Sequence, residues 1–149
     1  MITDFLKKTT LVWWLGACIA LTSCQDPQGL ISPVPDVNVR EQLNLNSIEA
    51  LPLKVRDGNY IYIAGGIKGI IVYRRSTDNY VAFERQSPHL MNDTCGKITV
   101  QSTQLYMEDL CHGCTFNWEG RPVGGPCTAI LKTYNVEFLN SFTLLITNP

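Results

Sequence analysis

The chain has 149 residues, 45% of them hydrophobic, with six cysteines and a formal net charge of −1. One domain is the prior for that length, and such a chain can bury a real core. An even balance of 12 basic and 13 acidic side chains excludes the basic face of a nucleic-acid binder, and the apolar content excludes a disordered chain.

Lys7 and Lys8 precede an apolar run from Leu11 to Leu21. The run is too short to cross a bilayer comfortably as a helix. A basic start, a short apolar centre and small residues after it make residues 1–23 a secretory signal. Leu21-Thr22-Ser23-Cys24 closes the segment and resembles a bacterial lipobox. The resemblance implies cleavage before Cys24 and acylation of its thiol. Lipid there would be the protein's partner contact with a membrane, anchoring without spanning. The expected location is the bacterial cell envelope outside the cytoplasm, where disulfides persist. Pro27, Gly29, Pro33 and Pro35 make 24–36 an extended, lipidated tether. Residues 37–149 then form one domain.

That domain reads as all-β. Val37 and Val39, then Leu43 and Leu45, then Leu51, Leu53 and Val55 alternate with polar neighbours, the period of half-buried strands. Asp57-Gly58-Asn59 is a turn before the β-rich run Tyr60–Ile63. Gly65, Gly66 and Gly69 punctuate before a strand at Ile70–Tyr73. A turn at residues 76–79 leads to a strand over Tyr80–Phe83. Ile98–Val100 and Leu105–Met107 read as a hairpin across residues 101–104. Residues 120–126 hold Gly120, Pro122, Gly124, Gly125 and Pro126, and so read as a loop. Tyr134-Val136-Phe138 alternates, and Phe142–Ile146 is a last apolar strand. Short strands with frequent turns predict a sandwich or barrel.

Both histidines of the chain, His89 and His112, fall beside Cys95, Cys111, Cys114 and Cys127 in segments between these strands. Loops rarely need buried thiols, so this clustering points away from core packing alone.

The pieces Gly69–Arg74, Tyr80–Arg85, Pro88-His89, Cys111-His112-Gly113 and Gly125-Pro126 follow one another in the order of a Rieske iron–sulfur domain. The resemblance covers roughly residues 50–149. It implies an antiparallel β sandwich or barrel of short strands with two inserted metal-loop regions. In that family Cys-x-His and Cys-x-x-His hold a [2Fe–2S] cluster, with thiolates on one iron and imidazoles on the other. His89 and His112 match the imidazole positions. Ser87 and Asp109 stand at the two thiolate positions. A hydroxyl and a carboxylate are harder ligands than thiolates and suit other metals, so no bound cluster is expected.

The resemblance also implies disulfides. Cys111 holds the family's second-loop bridge position, with Cys95 in the first loop as its partner. Cys114 and Cys127 occupy positions that are neighbours in the family. Sequence alone leaves three connectivities open for these four cysteines. The expected role is a non-catalytic binding or structural module of the envelope, stabilised by disulfides. The alternatives are an electron carrier with an altered [2Fe–2S] centre, or a single iron or zinc ion on His89, His112 and Asp109. Cys111-x-x-Cys114 with Cys95 and a histidine is a further zinc-binding possibility. No nucleophile elbow, His-Glu-x-x-His or phosphate-binding glycine loop is present. Trp118 and Phe116 read as packing, and Lys68, Arg74 and Arg75 as a solvated face.

Overall fold

β-Branched and aromatic runs broken by glycine-rich turns give short paired strands. The computed structural model describes residues 31–149. The signal, Cys24 and the first part of the tether lie outside the described residues. In chain order the elements are β1 (Arg40–Asn44), α1 (Leu51–Val55), β2 (Tyr60–Ile63), β3 (Ile70–Ser76), β4 (Asn79–Glu84), β5 (Ile98–Val100), β6 (Met107–Asp109), β7 (Cys114–Phe116), β8 (Pro122–Gly124), β9 (Thr133–Asn140) and β10 (Thr143–Thr147). They form a six-stranded sheet ordered β1-β10-β9-β4-β3-β2 and a four-stranded sheet ordered β5-β6-β7-β8. Every pairing between these strands is antiparallel. The all-β class expected from alternation holds.

The chain leaves the large sheet after β4 and returns to it as β9, pairing Ala82 with Tyr134 and Phe83 with Thr133. Residues 85–132 between them build the small sheet. This insertion carries both histidines and the four cysteines Cys95, Cys111, Cys114 and Cys127.

The alternation of β3 explains how the two sheets share a core. Ile70 and Val72 face a cluster with Leu43, Leu53, Leu144 and Ile146 inside the curled large sheet. Ile71 points the other way and joins Phe83, Ile98, Met107, Phe116 and Leu131 between the sheets. A strand buried on both faces reads as a continuous apolar run, as Ile70-Ile71-Val72 does. Fully buried side chains such as Phe83 and Phe116 each contribute about 1.5–3 kcal/mol by leaving water.

Three expectations need correction. Leu51-Leu53-Val55 is a helical turn rather than a strand. Only Leu53 is buried, while Leu51 and Val55 are exposed. Pro52 lies in the first turn, where its fixed φ and missing N–H suit a helix start. The Gly/Pro-rich stretch at 120–126 contains β8, paired to β7 through Thr115–Gly124 and Phe116–Pro122. An edge strand tolerates proline because one side of its backbone needs no partner. Val37 and Val39 precede β1, and the Asn148 side chain replaces a ladder for them. It accepts from Val39 N–H at 2.7 Å and donates to the Val37 carbonyl at 2.7 Å.

Residues 34–36, expected to belong to a tether, lie against the domain. Val34 is buried, and the Lys132 ammonium donates to the carbonyls of Val34 and Pro35 and pairs with Asp36.

Candidate functional site

Two excursions from the strands meet at one end of the small sheet. The first runs from Ser87 to Gly96 and is closed at its base. Ile98 N–H donates to the Arg85 carbonyl at 2.7 Å, and Gln86 bridges Lys97. The second is the tight turn 110–113 between β6 and β7. Asp109 pairs with Cys114 across it, and Gly113 N–H returns to the Asp109 carbonyl at 2.8 Å. Gly113 takes φ +68°, a conformation that favours glycine.

This geometry brings Ser87, Asp109, His112 and His89 together. Ser87 and Asp109 are 0% and 1% exposed. Asp109 Oδ2 lies 2.7 Å from His112 Nδ1. Its Oδ1 accepts from the backbone N–H of Cys111 at 3.1 Å and of His112 at 3.4 Å. The His89 ring lies edge-on to that of His112, with centroids 5.3 Å apart. Gly96 lets the backbone lie flat on this group, since a Cβ there would sit 2.9 Å from His112 Cε1.

Burial alone would push the Asp109 carboxyl up. The facing Ser87 hydroxyl and the His112 imidazole outweigh it and hold Asp109 below the usual carboxylate range. His112 is raised in turn, first by its hydrogen bond to Asp109 and further by Asp93. Asp109 stands between the hydroxyl and the imidazole. That order gives Ser87 no base on His112, unlike a nucleophilic triad.

Two side chains outside the excursions, Lys68 and Glu84, support the first loop. Lys68, read as solvated, donates from Nζ to the carbonyls of Asp93, Thr94 and Gly96 at 3.4, 3.0 and 2.7 Å. Its own loop hangs on Glu84, a fully buried carboxylate at the end of β4. Glu84 accepts from Ile67 N–H, Lys68 N–H, Gln86 N–H and the Tyr134 hydroxyl at 2.7–3.0 Å. Burial, then the bond to Glu84, pushes the Tyr134 phenol far above its usual range, so it donates as a neutral hydroxyl. The signal for this cage was Gly66, where a Cβ would stand 2.1 Å from Glu84 Oε2. Arg74, also read as solvated, bonds the Leu53 carbonyl at 2.7 Å and pairs with Asp57 at 2.9 Å. Trp118 packs as expected, stacked on Tyr73 at 3.8 Å.

The structure joins Cys95 to Cys111 and Cys114 to Cys127, the pairings that the resemblance implied. The two bridges differ in setting. Cys95 and Cys111 are exposed and tie the two excursions together. Cys114 and Cys127 are buried in the core between the sheets. Core packing therefore explains half of the cysteine clustering, against the sequence expectation. Cys114 opens β7 rather than sitting in a loop.

The donor set does not fit a Rieske [2Fe–2S] group. The positions that the resemblance assigns to thiolates hold the Ser87 hydroxyl and the Asp109 carboxylate, and Asp109 is hydrogen-bonded to Nδ1 of His112, which the resemblance assigns as an imidazole ligand. Among the described residues, the group of metal-ligating side chains that gathers closely is Asp93, Cys95, Cys111 and His112. His89 and Asp109 are not in it.

No protein-family model matches the sequence, and no curated protein matches it. Among solved structures, the chain is similar to the ferredoxin of carbazole 1,9a-dioxygenase from Nocardioides aromaticivorans IC177. The similarity covers 76% of this chain and 100% of that one, at 17% identity and a TM-score of 0.47.

Proposed function

We propose that the protein is a lipid-anchored, Rieske-like domain without an iron–sulfur cluster, serving as a disulfide-braced binding or structural module of the cell envelope. The observation behind this reading is the buried Asp109 carboxylate closed onto His112 Nδ1 at 2.7 Å, with Ser87 against it. A thiolate-bound iron needs soft sulfur donors at these two positions. Here they are hydrogen-bonding groups engaged with each other and with the histidine. The Cys95–Cys111 bridge takes the place of the cluster as the cross-link between the two loops, and Cys114–Cys127 braces the core beneath them.

The chain expressed with ample iron is expected to purify colourless, without stoichiometric iron or acid-labile sulfide. Visible absorbance accompanied by both would overturn the reading and favour an electron carrier with altered ligands.

The anchor has its own test. The protein is expected to fractionate with membranes, and Cys24→Ser to move it into the soluble fraction. Unchanged partitioning of that variant would remove lipid from the proposal.

A further inference from the structure

The Asp93, Cys95, Cys111 and His112 group surrounds a bond that can be opened. We propose that reduction of the Cys95–Cys111 disulfide by an external dithiol creates a zinc site, with Asp93, Cys95, Cys111 and His112 as its four ligands. This rests on the cluster-free reading, because a His112 engaged by an iron–sulfur cluster could not serve it.

The spacing of the ligand atoms carries the argument. Tetrahedral zinc with ordinary bond lengths sets sulfur and nitrogen ligands about 3.6 Å apart, and nitrogen and oxygen ligands about 3.3 Å apart. His112 Nε2 lies 3.7 Å from Cys111 Sγ and 3.4 Å from Asp93 Oδ2. All four ligand atoms lie within 4.8 Å of one another, and the two sulfurs are too close to act as separate ligands because they are bonded. Once that bond is cut they can separate to the roughly 3.8 Å of a zinc dithiolate.

The surroundings complete the site. Asp109 on Nδ1 is the outer carboxylate that zinc-binding histidines usually have, and it orients Nε2 toward the other ligands. Lys68 holds the carbonyls of Asp93, Thr94 and Gly96. The first loop therefore stays in place when its disulfide is gone. Two thiolates with an imidazole select zinc over calcium or magnesium. The exposed bridge is open to exchange, whereas Cys114–Cys127 is shielded in the core.

The step balances. The dithiol loses two electrons and two protons and closes into its own disulfide. Cys95 and Cys111 each gain one electron and one proton. Zinc then displaces both thiol protons into solvent.

The test uses the full chain, treated with a non-chelating phosphine and titrated with zinc against a chromophoric chelator. Mass spectrometry after alkylation is expected to show Cys95 and Cys111 free and Cys114–Cys127 intact. One zinc per chain is expected to bind after reduction and none before. Cobalt in its place should give thiolate-to-metal charge-transfer absorption. Cys111→Ser should abolish uptake. Asp93→Asn, an exposed change that leaves the core untouched, should weaken binding at least tenfold, and Asp109→Asn by about 10–100-fold. Absence of uptake on reduction, equal uptake before it, or uptake indifferent to both Cys111→Ser and Asp93→Asn would each overturn the proposal. Iron and sulfide in the untreated protein would overturn the cluster-free reading instead. A cluster-free protein that takes up no zinc would overturn this inference alone.

Discussion

Glu84→Gln is expected to lower the unfolding free energy by roughly 3 kcal/mol, read from the denaturant midpoint. Glu84 is fully buried and every partner it has is a donor. Oε1 accepts from the N–H groups of Lys68 and Gln86, and Oε2 from Ile67 N–H and the Tyr134 hydroxyl. An amide turns one of these two acceptors into a donor. If it replaces Oε1, two backbone N–H groups lose their partner. If it replaces Oε2, Tyr134 can rotate to accept, but Ile67 N–H cannot. A buried donor left without a partner costs about 1–3 kcal/mol, and the remaining bonds lose the strength that charge gives them. Gly66→Ala should act through the same cage, because its Cβ would collide with Oε2. Both variants should loosen the loop that carries Lys68. Hydrogen exchange in 87–96 should then accelerate beyond the global loss of stability. A Glu84→Gln midpoint shift worth less than about 0.5 kcal/mol, the range of an ordinary surface change, would show that the cage contributes little.

Glu84 also shows where the sequence stopped being informative. Strands β2, β3, β4, β9 and β10 were legible because their alternation or continuous apolar runs are set by the one or two faces they bury. The histidines and cysteines were legible as a group because the chain places them between those strands in a recognisable order. Buried polar contacts carry no such period. Glu84 ends its strand as any solvent-facing acid could, and Gly66, whose missing Cβ leaves room for it, is 18 residues away in the chain. Lys68 looked like one member of a basic surface, yet its ammonium is held by carbonyls 25–28 residues away in sequence. The Asp109–His112 bond was hidden for a related reason. Asp109 was read as a replaced ligand, and its role as a cap for the 110–113 turn depends on backbone N–H groups that a motif does not display. Alternation misled at Leu51-Leu53-Val55, where Pro52 in the middle of the run already argued against a strand.

The double variant Cys114→Ala/Cys127→Ala is expected to lose more stability than Cys95→Ala/Cys111→Ala, although the chain-entropy term is nearly the same for both. The bridges close separations of 13 and 16 residues, each worth about 3 kcal/mol in restricting the unfolded chain. The difference lies in the folded state. Cys114 is 0% and Cys127 7% exposed, packed with Phe116, Met107 and Leu131. Removing both sulfurs leaves a gap in that core, which adds about 1–2 kcal/mol. The core pair should therefore cost roughly 4–5 kcal/mol in all. The exposed pair should cost about 3 kcal/mol or less, with no cavity beneath it. Denaturant unfolding of both variants under matched conditions checks the order. Equal losses would mean that the core closes over the missing sulfurs. A larger loss for the exposed pair would reverse the assignment of which bridge supports the fold. The expected order has a chemical consequence. The bridge on which the core depends is the one that reductant reaches last, so the pair between the two site loops can open and close while the sheets beneath it stay folded.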